Sequence, residues 1–169
     1  MLQLITDRPL KYTILFLLIG VFGCKNEKQM NKLTEFRYSI CEPLNPKIIE
    51  KGTIGKNEII SAFSSFPWKK YLEQMDKARE SEIHYSPSIE IENKENKNGL
   101  AISAVGSPDN YEFYIFFKRP KMKKRFFGLS EKMDNQYVSD LRDQTKQDVL
   151  DCLNALINND LNFLEQKFK

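Results

Sequence analysis

The chain has 169 residues, of which 41% are hydrophobic and 29% charged, and a formal net charge of +3. That length suits one domain around one core, and a charge so close to neutrality excludes a bulk electrostatic case for nucleic-acid binding. Cysteine is sparse, with 3 in the whole chain, so a scaffold held mainly by disulfides is excluded as well.

Asp7, Arg8 and Lys11 lead into an apolar run over residues 12–22. The run is shorter than the roughly 20 apolar residues that span a bilayer, and it has the length of a signal-peptide core. It ends in Val21-Phe22-Gly23-Cys24. This resembles the lipobox of bacterial lipoproteins, with a branched apolar residue, a small residue beside the scissile bond, and a thiol to accept the diacylglycerol. Phe22 departs from the small or branched residue usual at its position. The resemblance implies a signal peptide over residues 1–23, lipidation of Cys24, and membrane lipid as the first partner. Several acyl chains at about 0.8 kcal/mol per buried CH₂ would anchor firmly. Lys25 stands where some lipoproteins carry an inner-membrane retention aspartate, so the expected location is the cell envelope, at the outer membrane. Residues 24–32 then form the lipidated cysteine and a polar tether, and residues 33–169 a single globular domain.

Within that domain, residues 34–41 (TEFRYSIC) have the composition of a short strand, interrupted afterwards by Pro43 and Pro46. Asn57 is placed to cap a short helix bearing Ile59, Ile60 and Phe63. Pro67 suits the first turn of a second helix, on which Trp68, Tyr71, Leu72, Met75 and Ala78 follow helical spacing. Trp68 on such a stripe is expected to be core.

The period then changes to two. Ile89 and Ile91 alternate with Glu90 and Glu92, and Leu100, Ile102 and Ala104 alternate in turn. Between them Asn98-Gly99 supplies residues that tolerate positive φ, so the pair reads as a hairpin. Residues 111–118 (YEFYIFFK) are aromatic and β-branched, as strands are. Residues 125–129 and 137–140 are expected to be further strands. Thr145 with Asp148 resembles a capping box. Behind it Val149, Leu150, Leu153, Leu156 and Ile157 form an apolar stripe, and Asp160 can cap a last helix carrying Leu161, Leu164 and Phe168. The expected fold is α+β: an antiparallel meander of about four or five strands flanked by N-terminal and C-terminal helices.

Residues that could carry chemistry are few. His84 has no partner at metal-ligand spacing, no serine sits in a G-x-S-x-G elbow, and no glycine-rich phosphate loop is present. Neither a metal nor a cofactor is expected. Glu90 and Glu92 share the solvent face of a strand. Cys41 and Cys152 can pair only if the fold brings their Cα atoms together. The most distinctive stretch is basic: six of the eight residues 118–125 (KRPKMKKR) are Lys or Arg. Pro120 should break the strand there and make the stretch a hairpin tip. Crowded like charges do not favour folding, so an anionic partner is one reading and a solvated tip the other. The candidate contact residues are Lys118, Arg119, Lys121, Lys123, Lys124, Arg125 and Phe127.

Phe66-Pro67-Trp68, then Ser86-Pro87-Ser88-Ile89-Glu90-Ile91, Gly99-Leu100-Ala101-Ile102-Ser103 and Glu112-Phe113-Tyr114-Ile115, stand in a particular order. That layout resembles small immunity-type proteins found beside polymorphic or contact-dependent toxins, over roughly residues 57–158. The resemblance implies a membrane-tethered protein without enzymatic activity that occludes a toxin by protein–protein contact. An accessory lipoprotein of an envelope complex fits the same features. A hydrolase using carboxylates is a third reading, and it requires a deep pocket with two inward carboxyl groups. Nucleic acid is not an expected partner.

Overall fold

The computed structural model of the chain describes residues 34–125 and 130–169. The expected leader and tether, Cys24 and residues 126–129, Phe127 among them, lie outside the described residues, and of Lys124, Arg125 and Ser130 only the backbone is described. The strands are β1 (Glu35–Cys41), β2 (Ile49–Gly55), β3 (Ser88–Asn93), β4 (Gly99–Ser107), β5 (Asn110–Arg125) and β6 (Ser130–Gln144). The helices are α1 (Lys56–Ser65), α2 (Trp68–Lys77), α3 (Lys146–Ile157) and α4 (Leu161–Lys167). All six strands join one sheet in the order β2-β1-β3-β4-β5-β6, and every neighbouring pair is antiparallel. The fold is α+β as expected, with more strands than the expected four or five. The first helices do not precede the sheet; α1 and α2 connect β2 to β3, across β1.

One face of the sheet is apolar because strand side chains alternate. Phe36 and Ile40 on β1, Ile89 and Ile91 on β3, Leu100, Ile102 and Ala104 on β4, and Phe113, Ile115 and Phe117 on β5 are all buried. The helices press Ile59, Phe63, Trp68, Leu72, Val149, Leu153, Leu156 and Leu164 into the same core. Trp68 is core, and its indole N–H donates to the Phe63 carbonyl at 3.1 Å. These buried residues run from Phe36 to Phe168, so the unit Leu33–Lys169 carries its own core.

The caps show where local chemistry sets boundaries. Thr145 and Asp148 exchange two bonds at the start of α3, with the Asp148 N–H donating to Thr145 Oγ1 at 3.2 Å and the Thr145 N–H to Asp148 Oδ2 at 3.1 Å. Asp160 accepts from the Phe163 N–H at 3.0 Å. Asn57 is not the cap of α1. That position belongs to Gly55, because the Glu58 carboxylate folds back to accept from the Gly55 N–H at 2.9 Å. Pro67 stands at the N-cap of α2 rather than inside its first turn.

In the β3–β4 turn the left-handed residue is Lys97, with φ of 63°, and not Asn98 or Gly99. Asn93 Oδ1 holds that turn by accepting from the N–H of Glu95 at 2.9 Å and of Asn96 at 3.3 Å. Gly99 serves close packing instead: a Cβ there would stand a tight 3.0 Å from the Ile91 carbonyl oxygen.

Candidate functional site

The candidate site is the far half of the β5–β6 hairpin. β4 ends its pairing with β5 where Gly99 meets Lys118. From Arg119 onward β5 pairs with β6 alone, as far as Arg125 opposite Ser130. The two strands thus continue past the sheet as a ribbon. Pro120 lies inside β5, which overturns the expectation that it ends the strand and forms the hairpin tip. Two features accommodate it. No β4 neighbour remains to receive an N–H there, and the register slips between Arg119 and Lys121, where Tyr137 and Asp134 are their partners and β6 carries the extra residue of a bulge. Residues 126–129 fall outside the described residues, and with them most of the strand expected over 125–129. The strand expected over 137–140 is the middle of the longer β6.

The ribbon's two faces differ. On the helix side are Arg119, Lys121, Lys123 and, across the ladder, Tyr137, Asp134 and Lys132. Arg119 is 3% exposed. Its guanidinium forms a two-pronged ion pair with Glu165 on α4, Nε to Oε1 and Nη2 to Oε2, the second at 3.0 Å. Nη1 donates to the Phe117 carbonyl at 3.1 Å and to Ser139 Oγ at 2.7 Å. The Arg119 Cζ also lies 4.2 Å from the Phe117 ring centre. A guanidinium suits this position because its donors are fixed in one plane and its face can stack. Lys121 Nζ reaches the same Glu165 at 2.9 Å. The Arg119 hydrogen bond, aided by Lys121, holds the Glu165 carboxyl below its usual range.

Tyr137 gathers the remaining cations. The Lys121 and Lys123 ammonium groups lie 4.9 and 4.7 Å from its ring centre, and the Arg119 Cζ 4.8 Å. Lys123 also pairs with Asp134 at 2.7 Å. Lys132 stands directly opposite Lys123, is exposed, and has no ion pair among the described residues.

On the other side the ribbon continues the sheet face that no helix among the described residues covers. Met122 and Met133 face each other across the ladder and are each 48% exposed, with Val138 at 49%. Lys118 belongs to this face and lies 3.6 Å from Glu90 and 3.5 Å from Glu92. Beside it a groove of about 520 Å³ is lined by Arg37, Glu92, Lys97, Lys118, Pro120, Asn135 and Gln136. A smaller one of about 170 Å³ runs along Arg37, Ser39, Ile48, Glu50, Glu90 and Glu92. Both strand carboxylates are thus on the uncovered face, as their alternation requires, and Glu92 is nearly buried by its neighbours.

The basic run therefore does not act as one unit. Lys118 faces the uncovered side, Arg119 is consumed by the fold, and Lys121 and Lys123 face the helix side. Sequence reading did not single out Lys132, Met133, Tyr137 or Glu165, because β6 carries the ribbon's second strand without an alternating pattern. The other singled-out residues lie elsewhere. His84 is exposed, and its backbone N–H donates to Pro43. Cys41 and Cys152 are both free: Cys41 ends β1 on the uncovered face while Cys152 is buried on α3, so the sheet separates them. Burial pushes the Cys152 thiol up to about 11. Among the described residues no cluster of His, Cys, Asp or Glu is arranged to hold a metal, and no helix is long and apolar enough to cross a membrane. Comparison with protein-family models, curated proteins and solved structures finds no match to this chain.

Proposed function

We propose that the chain is a membrane-tethered binding protein without catalytic activity, specifically an immunity protein that neutralises a toxin by protein–protein contact. The tether in this reading is the lipid on Cys24, and the envelope is where the contact is made. The carrying observation is the cross-strand pair Met122 and Met133 on the projecting ribbon, each about half exposed, with Val138, equally exposed, at the ribbon's base on the same face. Single exposed apolar residues are ordinary, but two large ones paired across a ladder and rimmed by charge suit a contact surface. Methionine suits such a surface because its unbranched, polarizable chain adapts to the partner. Lys118, with Glu90 and Glu92 beside it, supplies a mixed-charge rim.

The test is capture and neutralisation with defined proteins. Residues 25–169 are offered the products of genes adjacent to their own, and the same products are expressed with and without the full chain. The reading requires that one of them is bound and its toxicity suppressed, and that Met122→Asp with Met133→Asp abolishes both effects while the fold melts unchanged. If none of those products is bound or neutralised, the immunity reading is wrong.

A further inference from the structure

We infer that the helix-side face of the ribbon, centred on Lys121, Lys123 and Lys132, docks onto an anionic lipid bilayer and holds the domain in a fixed orientation at the membrane to which Cys24 tethers it. The inference rests on the lipoprotein reading for the proximity of that membrane, and on the structure for the docking face.

Three observations carry it. The first is charge. Leaving out Arg119, which Glu165 neutralises, the ribbon strands over residues 120–125 and 130–137 hold five Lys or Arg and two Asp or Glu, a net of +3, equal to that of the whole chain. All other segments together carry no net charge, so the molecule presents one basic end. A negative lipid surface attracts such a segment by roughly five-fold per basic residue.

The second is the pairing of Lys123 with Lys132. They are directly opposite in the ladder, where like charges oppose strand association. Asp134 answers Lys123 diagonally at 2.7 Å, and nothing among the described residues answers Lys132. Folding alone gives no reason for this arrangement. Headgroup phosphates supply the missing counter-charge.

The third is direction. Arg37, Glu92, Gly99, Lys118 and Val138 form one row across the sheet. β1 starts just beyond that row, at Glu35, and the ribbon projects past the same row. The chain therefore enters the domain at the end from which the ribbon extends. About ten residues separate Cys24 from Glu35, a reach of at most ~35 Å at 3.3–3.6 Å per residue. The ribbon extends about 20 Å, at ~3.3 Å per residue over residues 119–125. Anchor and ribbon can thus meet one bilayer surface at the same time. A tether this short raises the effective concentration of the second contact toward the millimolar range, so even weak headgroup binding would orient the domain. The Met122–Met133 strip, on the opposite side of the ribbon, would then face away from the lipid and remain open to a protein partner.

The test uses residues 25–169, which carry their own core and no lipid, with sedimented vesicles of pure phosphatidylcholine and of phosphatidylcholine mixed with phosphatidylglycerol. The expected result is binding to the mixed vesicles alone, weakened by added salt. The pair Lys123→Gln with Lys132→Gln, checked for an unchanged melt, should lower that binding about 25-fold, two charges at five-fold each. Lys132→Glu alone should lower it comparably. Equal binding to both vesicle types, or glutamine variants that bind like the parent, overturns the inference. So does a glutamine pair that keeps vesicle binding but loses a neighbouring-gene partner, which would make this face a protein contact. The mass of the membrane-extracted full chain reads the lipid on Cys24 separately. An unlipidated chain whose domain binds anionic vesicles removes the tether and keeps the docking face. A lipidated chain whose domain ignores them removes the docking face alone.

Discussion

Arg119 and Glu165 form a two-pronged ion pair that fastens α4 to the base of the ribbon. The guanidinium is nearly inaccessible while the carboxylate is about half-exposed, so the arginine bears most of the desolvation. Removing Glu165 leaves a buried cation with only Ser139 and the Phe117 carbonyl to answer it.

Glu165→Ala is therefore expected to destabilise the domain by about 2 kcal/mol, below the full cost of breaking a deeply buried pair because water reaches the carboxylate. Arg119→Lys should lose a similar amount, since an ammonium cannot satisfy both carboxylate oxygens, Ser139 and the carbonyl from one point. Denaturant melts of the two single variants and the double variant check this. A strongly coupled pair makes the double variant less destabilised than the sum of the singles.

Trp68 closes an aromatic cluster with Phe63, Phe66 and Phe113, at ring-centre distances of 5.5, 4.3 and 5.2 Å. Trp68→Ala should cost about 3–5 kcal/mol by opening a cavity. Trp68→Phe should cost roughly 1–2 kcal/mol, through the lost bond to the Phe63 carbonyl and lost contact. Thermal unfolding followed by circular dichroism separates the two. Equal and small effects would mean that Trp68 is not packed as described.

Asp148 links α3 to α4 through Lys167 Nζ at 2.7 Å. That bond, with the Thr145 hydroxyl, draws the Asp148 carboxyl down from 3.8 to about 2. A carboxyl depressed on folding adds stability above its unfolded pKa and loses it as pH falls through the folded value. The contribution should be complete above about pH 4 and disappear toward pH 2. Its size, reduced for partial solvent exposure, is about 1 kcal/mol. Asp148→Asn should flatten the acid limb of stability against pH in that window.

Lys132 gives an inverse prediction. Placing Glu at position 132 turns the repulsive cross-strand pair with Lys123 into an attractive one, so Lys132→Glu should raise stability by up to about 1 kcal/mol. A variant that folds better while binding anionic vesicles worse would show that this lysine is kept for a contact outside the fold. A destabilised variant would show that Lys132 already has a structural role.

Several features could be read from sequence because they depend on local chemistry. The period-two runs around Ile89, Leu100 and Phe113 gave β3, β4 and the start of β5, and the Thr145–Asp148 box and Asp160 marked the last two helices. β2 could not be read this way, and β6 only over residues 137–140. β2 (IEKGTIG) is an exposed edge with two glycines and little alternation. β6 (SEKMDNQYVSDLRDQ) is polar, and its two extra residues reset the alternation at each bulge.

By itself the sequence determined that there is one α+β core and that a concentrated basic run lies beside it, because periodicity and charge are properties of neighbours in the chain. Only the tertiary structure decided where the charges of that run go. Glu165 is 46 residues from Arg119, and Lys132 is brought opposite Lys123 by a ladder that the proline was expected to end. Whether a charge is buried, answered or left facing outward depends on partners from distant segments, and the folded sheet alone assigns them.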